Sequence, residues 1–178
     1  MIIEDIQLTA HLASPNSQRS AKSESKLSSS PSLTAHFSLS EFTRSATAER
    51  LGIDNTPPQE AIDNLIALCQ NVLEPLRRHV GQPVVISSGY RCKALNKKVG
   101  GVRNSQHMTG EAADIQPPSI PRGGSSEAVL KEWFLWIKDN CQFDQLILEH
   151  TRSGKYWLHV SYSTRHNRQC VISNILKK

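Results

Sequence analysis

The sequence predicts an α+β domain, with a small, mostly antiparallel sheet and flanking helices. Three observations carry that reading. Helical periodicity dominates the earlier part of the chain, strand-like runs gather in the later part, and no internal repeat is evident. The 178 residues suffice for one domain with a sizeable core.

Residues 12–35 are rich in serine and poor in large apolar groups. Such a segment cannot bury enough apolar area to offset its ordering entropy. Residues 1–35 therefore read as a flexible tail and 36–178 as the folded domain. Ser38 to Phe42 offers a helix start, with a serine followed by Glu41. Thr56-Pro57-Pro58-Gln59-Glu60 is a stronger start, with a cap, an early proline and an acid in the first turn. Ile62, Leu65, Ile66, Cys69, Val72, Leu73 and Leu76 then recur at steps of three and four. That spacing predicts an amphipathic helix, kinked at Pro75 and ended by Gly81.

Residues 83–88 read as a β-branched strand, 94–99 as a short helix and 102–110 as a loop. A strand is predicted over 112–115 and a Pro/Gly/Ser loop over 117–126. Val129, Trp133, Phe134 and Ile137 share one face of a helix over 127–140. Residues 143–149 and 156–162 are strands joined by a turn at 151–154, and a last strand runs through 170–172.

Charge and cysteine usage narrow the function. Net charge is +5, which suits an acidic partner: nucleic acid, an anionic membrane surface or an anionic cell-wall polymer. Nucleic acid is not expected as a partner, because no dense basic run carries interleaved aromatics; Arg77-Arg78 and Lys97-Lys98 are isolated pairs. The four cysteines form no Cys-x-x-Cys pair, and without an export signal they are expected to be free thiols. The first ten residues hold two acids and no basic region, so no secretory signal is read there. No run approaches the roughly 20 apolar residues of a membrane helix. A monomer is expected.

Chemistry concentrates in two segments, Ser105 to Ile115 and Trp157 to Val160. Together they offer His107, Asp114 and His159. Three nitrogen and oxygen ligands with a fourth position open is the pattern of a catalytic zinc site. Gly110 permits a tight backbone excursion between His107 and Asp114. Spacing alone leaves a second reading open, an exposed histidine and a turn aspartate. Trp157 shares the face of His159 along a strand and is expected to pack in the core.

Several further motifs stand in order around these residues. They are Leu39-Ser40-Glu41-Phe42, Ser88-Gly89-Tyr90-Arg91, Val99-Gly100-Gly101-Val102, Ser105-Gln106-His107, Gly110-Glu111-Ala112-Ala113-Asp114, Phe143-Asp144-Gln145-Leu146-Ile147 and Trp157-Leu158-His159-Val160-Ser161. Over about three quarters of the chain, the sequence resembles the zinc D-Ala-D-Ala carboxypeptidase family of metallopeptidases. The resemblance is to its single-domain form, common in phages and bacteria. It implies the α+β fold shared with the hedgehog signalling domain. It also implies zinc as cofactor, held by His107, Asp114 and His159, and the peptide stems of peptidoglycan as partner.

Arg91 then looks like the cation beside the substrate, and Ser105 like a substrate-binding serine. Several relatives carry an acid three positions before the last histidine ligand, where this chain has Tyr156. A phenol is a poor base at neutral pH. Glu149 is the expected catalytic base, Asp144 the second choice, and Glu111 and His150 stand behind them. The resemblance leaves a D-Ala-D-Ala carboxypeptidase or a phage-type endopeptidase as the activity. The alternative is a non-catalytic, zinc-stabilised cell-wall-binding or virion structural module. A wall hydrolase without a secretory signal is expected to be made in the cytoplasm and reach the wall by another route.

Overall fold

The computed structural model describes residues 31–120 and 122–177. Most of the expected tail lies outside them. Pro31 to Leu33, which composition assigns to that tail, turn back onto the domain instead. The Leu39 amide donates to the Pro31 carbonyl at 3.0 Å, and Leu33 packs against the core.

The helices follow their punctuation. At α1 (Leu39–Thr43), the Glu41 carboxylate accepts from the Ser38 amide at 2.7 Å and from its hydroxyl at 2.8 Å, which ties down the helix start. A further helix, α2 (Ala46–Leu51), is unexpected from periodicity because its run is short and weakly apolar. Its ends are marked all the same: the Ser45 side chain accepts from the Ala48 amide, and Gly52 closes it in the left-handed region. The long predicted helix appears as α3 (Gln59–Leu68), one widened π turn over Cys69–Leu73, and α4 (Glu74–Val80). Pro75 has no amide for the carbonyl four residues back, and its ring crowds that carbonyl. Widening the preceding turn accommodates both defects without breaking the helix. Gly81 ends it at φ 64°.

The rest comprises β1 (Val85–Ser88), α5 (Lys93–Lys98), a 3-10 turn over Gln106–Thr109, β2 (Ala112–Gln116), α6 (Ser126–Asn140), β3 (Gln145–Thr151), β4 (Tyr156–Ser161) and β5 (Cys170–Lys177). The five strands form one sheet in the order β1-β2-β4-β3-β5. Its pairings are antiparallel except between β3 and β5, which run parallel. The fold is therefore the α+β architecture that the sequence predicts.

The sheet has two unlike faces. Ile115, Leu146, Leu148, Leu158 and Val160 point to one of them and are fully or almost fully buried with Leu65, Leu68, Leu73 and Leu76 of the long helix. Leu130, Trp133 and Ile137 of α6 close the same core. Each large side chain buried there contributes on the order of 1.5–3 kcal/mol. The alternate residues face the other way, and they carry the site. Among the described residues, no helix is long and apolar enough to cross a membrane.

Candidate active site

Register builds most of the site. Asp114 on β2 lies directly opposite His159 on β4, so both side chains leave the same face of the sheet. Ile147 of β3 is the partner of His159 on the other side, and Glu149 is the partner of Trp157. His107 comes from the 3-10 turn before β2. That turn can approach the sheet because Gly110 closes it at φ 74°, where an added Cβ would collide with the Ala61 carbonyl of α3. Gly89 is equally constrained, since a Cβ there would strike the backbone of Phe42. Its carbonyl meets His107 Nδ1 at 2.7 Å. A carbonyl can only accept, so Nδ1 carries a proton there and Nε2 is the nitrogen that faces Asp114 and His159.

The three donor atoms form a nearly equilateral triangle. His159 Nδ1 is 3.0 Å from Asp114 Oδ1, His107 Nε2 is 3.3 Å from the same oxygen, and the two nitrogens are 3.2 Å apart. A tetrahedron with arms of roughly 2.0–2.1 Å, the zinc–nitrogen and zinc–oxygen range, has edges of about 3.3–3.4 Å. The triangle fits one face of such a tetrahedron. Its donors suit a cation as well: two imidazole nitrogens and a carboxylate oxygen converge with few protons to share among them. Burial alone would raise the Asp114 pKa, but the charges and hydrogen bonds of His107 and His159 outweigh it and hold the carboxyl far below the usual range.

Around the triangle opens a cleft of about 700 Å³. Glu149 lines it and is buried. Arg91 lines it from the segment between β1 and α5, with Nη2 3.5 Å from the Ser105 hydroxyl. Burial lowers the Arg91 pKa, against the opposing pull of Asp114 and Glu149. Its Nε is buried without a hydrogen-bond partner among the described residues. Ser105, itself buried, also borders the cleft. The structure thus brings His107, Asp114, His159, Glu149, Arg91 and Ser105 to one opening.

Two residues fall elsewhere. Asp144 does not line the cleft with them. Both of its oxygens are engaged by Arg168, at 2.7 and 2.6 Å, and Gln106 donates to one of them at 2.9 Å. Those bonds, opposed by burial, hold its carboxyl below the ordinary range, which makes it a poor proton acceptor. Tyr156, three residues before His159 on an unbroken strand, emerges on the opposite face. It stacks on His150 there, ring centroids 5.0 Å apart.

Trp157 corrects an expectation. It lines the cleft rather than the core, because the alternation that aims His159 into the cleft aims Trp157 there too. Arg168 is a cleft residue that sequence reasoning does not single out. No spacing signal links it to the histidines, since it is delivered by the loop between β4 and β5.

Fold and site together define an α+β domain whose sheet opens into a cleft with three donors that could hold a metal ion. The Peptidase M15 family pattern matches residues 35–133, and the chain belongs to that family. The matched stretch includes Arg91, His107 and Asp114 and ends before Glu149 and His159. The chain is also 41 % identical, over 44 residues, to the zinc D-Ala-D-Ala carboxypeptidase of Streptomyces albus G. That alignment covers 24 % of this chain and 17 % of the Streptomyces protein. Membership of the family implies zinc, which the convergent histidines and aspartate fit.

Proposed function

We propose that this protein is a zinc-dependent peptidase that hydrolyses the peptide stems of bacterial peptidoglycan, as a D-Ala-D-Ala carboxypeptidase or an endopeptidase. The observation that carries this reading is the shared opening of the donor triangle with a buried carboxylate, Glu149, and a guanidinium, Arg91. His107, Asp114 and His159 would hold the metal. A bound zinc ion supplies Lewis acidity, polarising the scissile carbonyl and acidifying water.

The chain's own groups do the rest. Glu149 takes a proton from the attacking water and returns it to the leaving amine, so the proton count balances over the cycle. Arg91 opposes the negative charge that grows on the carbonyl oxygen, or clamps a carboxylate of the stem. Its partial desolvation strengthens either contact. Ser105, at the guanidinium, offers a hydroxyl to the substrate.

The test is to incubate zinc-loaded protein with purified peptidoglycan and with a D-Ala-D-Ala-terminated peptide. Release of D-Ala identifies a carboxypeptidase, and new internal amines without D-Ala identify an endopeptidase. Glu149→Gln should keep its zinc and lose about a hundredfold or more in turnover. Near-normal turnover in that variant would remove Glu149 as the base. Zinc binding without any product from wild type would favour the non-catalytic module instead.

A further inference from the structure

The wall of the cleft carries a second guanidinium that catalysis, as derived above, leaves unused. Arg168 lines the cleft beside Gln145 and Gln106, and its side chain is 51 % exposed. It is nonetheless held firmly. Nε donates to Asp144 Oδ1 at 2.7 Å, Nη2 donates to Oδ2 at 2.6 Å, and the Arg168 amide donates to Oδ1 at 3.1 Å. Asp144 is only 5 % exposed, and Gln106, next to His107, donates to its Oδ2 at 2.9 Å. One buried carboxylate therefore ties the arginine to the turn that carries His107.

A guanidinium has five N–H groups in a fixed plane, and this fork with Asp144 uses two of them. Three remain, and the Nη1–Nη2 edge forms a second fork turned away from Asp144. A planar pair of donors on a cleft wall matches the two oxygens of a carboxylate. Because Asp144 neutralises most of the net charge, the selection is directional: it favours an acceptor with two oxygens in the plane over a merely negative group. Arg91 enters the cleft from the segment after β1 and Arg168 from the loop before β5, so the two are supplied by opposite edges of the sheet.

We propose that Arg168 is a specificity-determining residue that receives a carboxylate of the peptide substrate, and that Asp144 is its positioning residue. The proposal rests on the preceding reading only in taking the occupant of the cleft to be a peptide. The carboxylate could be the stem's terminus or the free α-carboxylate of a γ-linked glutamate within it.

The test uses the full, zinc-loaded chain and the synthetic stem L-Ala-γ-D-Glu-L-Lys-D-Ala-D-Ala. Two analogues convert either the terminal carboxylate or the glutamate α-carboxylate to a carboxamide. Affinity is read from the fast tryptophan-fluorescence change on stopped-flow mixing, before turnover, since Trp157 lines the cleft. Wild type should bind one analogue about tenfold more weakly than the parent, and that analogue names the source. Arg168→Gln should bind parent and analogue alike. Arg168→Lys keeps charge without the fork and should lose most of the discrimination; it decides the matter if the glutamine variant does not fold. Asp144→Asn should lose the discrimination while Arg168 is still present.

Full discrimination in both Arg168 variants, or none in wild type, would overturn the role of Arg168. Full discrimination in Asp144→Asn would overturn the positioning role. Cleavage followed over longer times separates the two readings. Discrimination without cleavage of any stem would sink the peptidase and leave Arg168 standing, and cleavage without discrimination would do the reverse.

Discussion

Glu74 is a buried carboxyl that joins the first described residues to the long helix. It accepts from the His36 amide and from His36 Nδ1, both at 2.8 Å. Burial alone would raise its pKa, but the bonds from His36 outweigh that and bring it below the ordinary value of 4.5. A depressed carboxyl contributes stability above its unfolded pKa, and that stability is lost as pH falls through the lower, folded value. Glu74→Gln should therefore melt below wild type at pH 7, and the gap should close only below about pH 4.5. A gap that stays constant into acid would contradict the linkage. The cysteines offer a second test at this scale. All four are free; burial pushes the Cys141 thiol up to about 11 and moves Cys69 upward as well. Alkylation at pH 8, followed by mass spectrometry, should label Cys92 and Cys170 before either of them. Early labelling of Cys69 would mean the core around it opens readily. Single residues were unevenly legible. The histidines and Asp114 stood out by motif, whereas the places of Trp157 and Tyr156 followed from strand alternation, which sequence alone contained but which needed the register to apply.

At the scale of elements, the 3-10 turn and its closing glycine decide where His107 stands. Gly110 sits at a positive φ and against the Ala61 carbonyl, so Gly110→Ala meets both backbone strain and a collision. The cost should be about 1–3 kcal/mol or more in denaturant unfolding, with reduced zinc affinity alongside it. Unchanged stability would mean that α3 yields easily at Ala61. The helices were readable wherever periodicity ran long. The 3-10 turn, α2 and the π turn were not, because each is a short response to a neighbour: to the sheet, to a capping serine, or to Pro75. The length of β5 was also hidden. Its parallel pairing with β3 extends over Gln145 to Thr151, and no local pattern in that segment announces so distant a partner.

For the molecule as a whole, the sheet separates tasks by face. One side is an apolar core shared with the helices, and the other, with the turn and loops beside it, presents three donors, a carboxylate and two arginines. Two imidazole nitrogens and a carboxylate this close need a proton or a metal ion between them, so metal and fold should be linked. Removing zinc with a chelator should lower Tm, and restoring it should raise Tm with the logarithm of free zinc. Asp114→Asn should abolish that dependence. A Tm indifferent to zinc would count against the proposed ligands. The global architecture was legible because strand runs and helical runs were well separated in the chain. The cleft was only half legible: its metal-facing side is written in motifs, and its Arg168 side depends on a loop fold.

The close approach of Phe42 to Gly89 carries a consequence for exchange kinetics. Phe42 of α1 is fully buried, it leaves no room for a side chain at Gly89, and the Gly89 carbonyl orients the imidazole of His107. A transient lifting of α1 would therefore slacken the histidine without touching any donor atom. Zinc should leave by way of that opening, at a rate set by the first helix rather than by bond strength at the centre. Phe42→Ala, with its ligands intact, is expected to hand zinc to a chromogenic chelator faster than wild type does. An unchanged rate would place the exit route elsewhere.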